Sequence, residues 1–134
     1  MEHLLIMNKN GSAFAGLLTY GDPEGNWIGI RPSSKSEMTV YFEKRSIHSI
    51  LHEDGRQELL SPETPALPYR EDSDIPEGKM LLVRVRGGFS CRGIPAEPIE
   101  PVLESAGGYW LQPSKSCGIV IHIPEAAAEE VFSG

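Results

Sequence analysis

The stretch "LLVRVRGGFSCRG", Leu81–Gly93, repeats the pattern of "LLIMNKNGSAFAG", Leu4–Gly16. Leu4, Leu5, Gly11 and Gly16 align with Leu81, Leu82, Gly88 and Gly93 at a constant offset of 77. In each stretch a turn-forming dipeptide, Asn10-Gly11 or Gly87-Gly88, separates two runs able to pair as strands. Asn-Gly and Gly-Gly supply the positive φ angles of a tight type I′ turn, so two hairpins with two-residue turns are predicted. That register sets Arg86 opposite Phe89 and Arg84 opposite Cys91, with both arginines on one face.

The doubling continues downstream. "PSSKS" at Pro32–Ser36 returns as "PSKSC" at Pro113–Cys117, and "MTVYF" (Met38–Phe42) as "GIVIHI" (Gly118–Ile123), with Val40 matching Ile121 at an offset of 81. Alternation of Met38, Val40 and Phe42 with Thr39 and Tyr41 has the period of a half-buried strand. The first copy runs on through "EKRSIHSIL", where Ile47 and Ile50 suit a closing strand or a short turn. The second gives "PEAAAEEVF", where Pro124 fits a first helical position and Ala and Glu favour helix, so a short C-terminal helix is predicted. Reuse of common turn words is the alternative to duplication.

A chain of 134 residues can bury one ordinary core or two very small ones that must lean on each other. Eleven prolines and 14 glycines imply many short elements and favour β structure. Of the net charge of −7, residues 51–79 carry −5, residues 80–134 carry −2 and residues 1–50 are neutral. The acidic segment also holds Pro62, Pro65, Pro68 and Pro76, the composition of a solvated linker. The expected organisation is therefore a small β barrel over 1–52, an acidic Pro-rich linker over 53–79, and a divergent second barrel over 80–134 ending in the helix. No apolar run is long enough to span a membrane, and "MEHLLIMNKNG" does not read as a secretory signal, so a cytoplasmic protein is expected.

Five short strands in about fifty residues describe a small, strongly bent barrel of the SH3-like type. Lys9-Asn10-Gly11, Phe14, Gly16, Leu18, Asp22 and Asn26 sharpen this reading, because their spacing resembles the first motif of the Sm/LSm family, to which the bacterial Hfq proteins are related in fold. Ile47 and Ile50, after a basic pair, resemble the family's second motif. The likeness covers residues 3–51 well and 80–123 loosely. It implies a tandem Sm-like protein that is not an enzyme, needs no cofactor, and binds single-stranded RNA through the loop around Asp22–Asn26. Asn26 would read a base with its amide, Asp22 would be its loop partner, and Trp27 or Tyr20 would supply a stacking plane. Lys44 and Arg45 would lie along the phosphate path, where Hfq carries a Lys-His pair. The resemblance also implies a homo-oligomeric ring closed by fourth-to-fifth strand contacts, three two-barrel chains giving six barrels.

Two features set the chain apart from that family. Phe42-Glu43-Lys44 stands where Sm proteins have Ile-Arg-Gly, so a stacking Arg is replaced by an acid, and the second copy has no equivalent of Asp22 or Asn26. "GDPEGN" (Gly21–Asn26) is also a good turn in its own right. The rival reading is a protein-interaction or assembly scaffold that has kept the barrel and lost nucleic-acid binding. Arg84, Arg86 and Arg92 form a basic patch around the second hairpin, either an anion site or a face that balances nearby glutamates. His48 and His52, beside Glu53, have the spacing of two metal ligands if their segment is helical, with no third ligand placed. Cys91 and Cys117 suit small core positions, with His122 near enough in sequence to accompany one of them. No nucleophile triad, phosphate loop or dinucleotide fingerprint is present.

Overall fold

The computed structural model describes residues 2–9, 11–21, 24–60, 80–99, 107–113 and 118–133. Eleven strands follow in chain order: β1 (His3–Asn8), β2 (Ala13–Gly21), β3 (Trp27–Arg31), β4 (Thr39–Glu43), β5 (Ile47–His52), β6 (Gln57–Leu59), β7 (Leu81–Val85), β8 (Phe89–Pro95), β9 (Tyr109–Gln112), β10 (Ile119–Ile123) and β11 (Ala128–Ser133). Single 3-10 turns at Lys44–Ser46 and Glu125–Ala127 lead into β5 and β11. All pairings are antiparallel, in one open sheet of order β11-β7-β8-β9-β10-β4-β3-β2-β1-β5-β6.

That order contains one five-strand unit twice, back to back. From the centre outward it reads β4-β3-β2-β1-β5 on one side and β10-β9-β8-β7-β11 on the other. The register agrees residue by residue. Leu4 pairs with Gly16 as Leu81 pairs with Gly93, and Ile30 pairs with Val40 as Leu111 pairs with Ile121. The outermost pairing also matches, Ile6 with Ile50 and Val83 with Val131, and each ladder slips by one residue at the same place, beside His48 and beside Glu129. The Lys9 N–H donates to the Ser46 carbonyl at 2.9 Å, and the Arg86 N–H to the Ala127 carbonyl at 2.9 Å. Two offsets, 77 for the first two strands and 81 for the last three, generate all of these pairs, so the chain carries the same unit twice.

Glycine shows why the copies keep one shape. A side chain at Gly16 would collide with the Arg31 carbonyl, and one at Gly93 would come within 2.8 Å of the Gln112 carbonyl oxygen. At both places the second strand's backbone lies tight against the third, which only glycine permits.

The units meet at β4 and β10. Val40 lies across from Ile121, its own counterpart, so the contact is two-fold in character, flanked by Phe42 with Ile119 and Tyr41 with Val120. The apolar face of this seam is closed. Phe42 and Ile123 are fully buried and join Ile6, Ile30, Ile47 and Ile50 from one unit with Val83, Val85, Leu111 and Ala127 from the other in one core. Phe14 packs on Phe42 with ring centroids 5.1 Å apart. Burying a side chain of this size contributes about 1.5–3 kcal/mol, and here the gain is shared between the copies.

Several expectations are corrected. The hairpins close through three-residue loops, Lys9–Gly11 and Arg86–Gly88: Val85 pairs with Phe89, and the Asn8 N–H donates to the Ser12 carbonyl. Arg84 therefore faces Ser90, and Cys91 faces Val83. Gly11 and Gly88, at φ of 89° and 95°, supply the left-handed position such loops use. The C-terminal helix is absent: residues 128–133 are strand β11, and only Glu125–Ala127 turns helically. Helix propensity differs by fractions of a kcal/mol per residue, and an edge-strand position beside β7 outweighs it. The two units share one core within an open sheet and are not separate closed bodies. The early part of the expected linker forms β6, paired with β5, while residues 61–79 lie outside the described residues.

Candidate nucleotide-binding end of the first repeat

The pairing of β3 with β4 sets Trp27 across from Glu43. Just beyond, the Lys44 N–H donates to the Asn26 carbonyl at 2.8 Å, tying the turn before β5 to the loop before β3. Asn26, Trp27, Lys44 and Arg45, separated by some eighteen residues of chain, thus come to one end of the sheet. Asn26 and Arg45 are exposed, and Trp27 and Lys44 are half-buried. Asp22 lies outside the described residues.

A surface pocket of about 360 Å³ opens beside this end. Trp27, Glu43, Arg45 and Ser46 line one side, and Gln112 and Val120 of the second repeat line the other. The repeats are held together there because the Glu43 N–H donates to the Gly118 carbonyl at 2.8 Å. Within the pocket Arg45 Nε forms an ion pair with Glu43 Oε1, in which the Arg45 side chain is 82% exposed and the Glu43 side chain 24%. The lining thus brings together the indole of Trp27, the carboxylate of Glu43, the guanidinium of Arg45 and the amide of Gln112. A flat group with polar edges can stack and hydrogen-bond in such a place.

Behind the pocket lies an aromatic layer that sequence reading missed. Tyr20 meets Tyr41 edge to face at 5.8 Å, Tyr41 stacks on Trp110 at 5.7 Å, and Trp110 lies 4.3 Å from His122. Tyr41 and Trp110 are buried, with Trp27, Ala96 and Ile99 packed around them. The alternation of "MTVYF" places Tyr41 on the outward face, which sequence alone reads as solvated. The structure covers that face too, and a side chain at Gly29 would sit 2.8 Å from the Tyr41 ring. Tyr20 is therefore part of this layer, and Trp27 is the aromatic that reaches the pocket. Gln112 is likewise invisible to motif reading, because it belongs to the other repeat.

The remaining candidates are dispersed. Arg84 pairs with Glu130 at 3.3 Å. Arg86 donates to the Ala126 carbonyl at 2.6 Å and lies 3.8 Å from Glu37. Arg92 sits across from Leu82, on the face that also carries Arg84. The first two arginines thus work as struts between elements. His48 and His52 lie on strand β5, where a spacing of four residues is about 13 Å. His52 Nδ1 contacts Glu2 Oε2 at 3.2 Å instead. Among the described residues no group of three His, Cys, Asp or Glu is placed to hold a metal ion. His122 Nε2 is 2.6 Å from the Gly107 carbonyl oxygen. The Cys91 thiol donates to Met38 Sδ at 2.9 Å, and burial pushes its pKa from 9.0 up to about 11, so it is a protonated core thiol at neutral pH. Cys117 lies outside the described residues, and no helix among those described is long and apolar enough to cross a membrane.

No protein-family model, curated protein or solved structure matches the chain.

Proposed function

We propose that the protein is a non-enzymatic, duplicated Sm-like barrel protein that binds an unpaired nucleotide of single-stranded RNA at the loop end of its first repeat. The observation carrying this reading is the convergence of Asn26, Trp27, Lys44 and Arg45, through the Lys44-to-Asn26 backbone bond, beside a pocket of about 360 Å³. Trp27 stacks on the base, the Asn26 amide and Gln112 read its edges, and Lys44 and Arg45 meet the flanking phosphates. The strand order of each five-strand unit supports the barrel assignment.

The reading departs from a ring of alternating sites. β4 and β10, the two fourth strands, pair with each other, so neither is free to meet a fifth strand of another chain. The end strands of the sheet are β6 and β11. One nucleotide site per chain follows, since the positions matching Asn26, Trp27 and Lys44 are Gly107, Gly108 and Glu125.

The Glu43–Arg45 ion pair favours a second reading, an interaction scaffold, because it sets an acid in the pocket and engages one of its cations. Fluorescence anisotropy with labelled hexa-uridine and hexa-adenosine at low and moderate salt separates the two. Under the RNA reading, Trp27→Ala lowers affinity by about 1–3 kcal/mol with the fold intact, Glu43→Gln raises it, and Lys44→Ala flattens the salt dependence. Equal, weak binding by wild type and all three variants leaves the scaffold.

A further inference from the structure

The two copies of the fifth strand end differently. In the first repeat the outer edge of β5 is covered by β6, with Gln57 opposite Leu51, Glu58 opposite Ile50 and Leu59 opposite Ser49. In the second, β11 is an end strand, and no described strand pairs with its outer edge. The copies differ in burial at one position, where Ile50 is 2% exposed and its counterpart Val131 40%, while on the other face Leu51 and Phe132 are both exposed, at 43% and 51%. Phe89 and Leu82, on the two faces beside them, are exposed as well. A strand with bare backbone groups and apolar side chains on both faces is a template for strand addition.

The geometry points to β11 as a docking edge for an extended, basic segment of a partner protein, added antiparallel as β6 is added to β5. The register of β5 with β6, carried over by the repeat, sets successive residues of the incoming strand against Phe132, Val131, Glu130 and Glu129. The first two positions call for apolar side chains, one for each face of the sheet, and the next two for Lys or Arg. Glu129 is exposed, and Glu130 shares Arg84 at 3.3 Å.

Charge disfavours β11 and β6 of a second copy as occupants of this edge. A second β11 laid antiparallel about Val131 would set Glu130 against Phe132 and Glu129 against Ser133 of the other copy, so neither glutamate would meet a cation across the new pairing. A second copy's β6 would set Glu58 against Val131 and Leu59 against Glu130, adding an acid to the edge and no cation for Glu129. A net charge of −7 also favours a basic partner. This edge is remote in the sheet order from the nucleotide pocket, and the inference stands independently of RNA binding.

The test is amide chemical-shift mapping on the full chain with a blocked hexapeptide, Thr-Ile-Val-Lys-Arg-Thr, against the peptide in which Glu-Glu replaces Lys-Arg. Saturable shifts at 128–133 and 81–85, at least about tenfold weaker for the acidic peptide and abolished in Val131→Lys and Phe132→Lys, bear the proposal out. Both positions are exposed, and unchanged thermal unfolding confirms that the variants fold. Three results overturn it: no shift at β11 with millimolar basic peptide, equal binding of both peptides, or light scattering that shows a dimer of the free protein converted to monomer by Phe132→Lys.

Discussion

At its loop end the first repeat carries Asn26, Trp27, Glu43, Lys44 and Arg45, while the matching positions of the second are Gly107, Gly108, Pro124, Glu125 and Ala126. Every strand pairing that can be compared between the two is nevertheless the same, down to the slipped residue opposite the first strand. Inward side chains and close-contact glycines hold the register because they touch other parts of the fold. Side chains at the loop ends are exposed or only half-buried, so they differ without changing the strand pairing, which is where a binding function can be gained or lost. The interior differs by substitution within one shape. Phe14 of the first repeat is matched by Cys91, Ile47 by Ala128 and Asn8 by Val85. Across the seam, Cys91 meets Met38 of the first repeat, so neither interior is complete alone.

The most forceful way to break this comparison is to hollow out the seam. Phe42→Ala is expected to cost about 3–5 kcal/mol and Ile123→Ala about 2–5 kcal/mol, and in both variants urea unfolding followed by fluorescence and by circular dichroism should remain one transition. Two transitions, only one of them shifted, would mean that the repeats fold as separate bodies after all.

Cys91 sharpens the contrast with Phe14. In a Cys117→Ser background at pH 8, iodoacetamide should alkylate it about 100-fold more slowly than an ordinary thiol, as expected of a pKa near 11 in place of 9.0. The raised pKa favours the thiol form in the folded state. Its contribution to stability is therefore complete below pH 9 and fades as pH rises toward 11, a loss that Cys91→Ala should remove. An alkylation rate equal to that of a free thiol would place Cys91 at the surface.

Gly16→Ala and Gly93→Ala test the equivalence more finely. Each forces a Cβ onto a carbonyl of the neighbouring strand, and each should destabilise by about 1–3 kcal/mol, as overpacking does. Similar losses in thermal unfolding support the matched geometry, and a neutral Gly93→Ala would not. Arg84→Ala should have the smallest effect, about 0–1 kcal/mol, because its ion pair with Glu130 is exposed on both sides.

Much of the architecture was legible in the chain because it rests on local chemistry. The Leu-Leu starts, the glycines at matched offsets and the alternation of Met38, Val40 and Phe42 all reflect constraints acting within one strand or hairpin. The hairpin loop length was misread because Gly87-Gly88 fits a two-residue turn in isolation, while the Arg86 N–H is engaged by the Ala127 carbonyl of the 3-10 turn before β11 and Arg86 joins the loop as well. The helix expected in "PEAAAEEVF" failed for the same reason, since pairing with Leu81–Val85 comes from elsewhere in the chain. At the candidate site, Asn26, Trp27, Lys44 and Arg45 were visible from motif spacing. Gln112 and the Tyr41–Trp110 layer were not, because Gln112 and Trp110 come from the second repeat and cover Tyr41 from across the seam.

The sequence by itself determined a duplicated, strand-rich chain with one well-furnished loop end, since residue spacing and turn chemistry act over a few neighbours. Only the tertiary structure decided how the copies join. Two fourth strands, apolar on one side and aromatic on the other, pair with each other and join the cores of both copies, and no local pattern records which edge a strand will find.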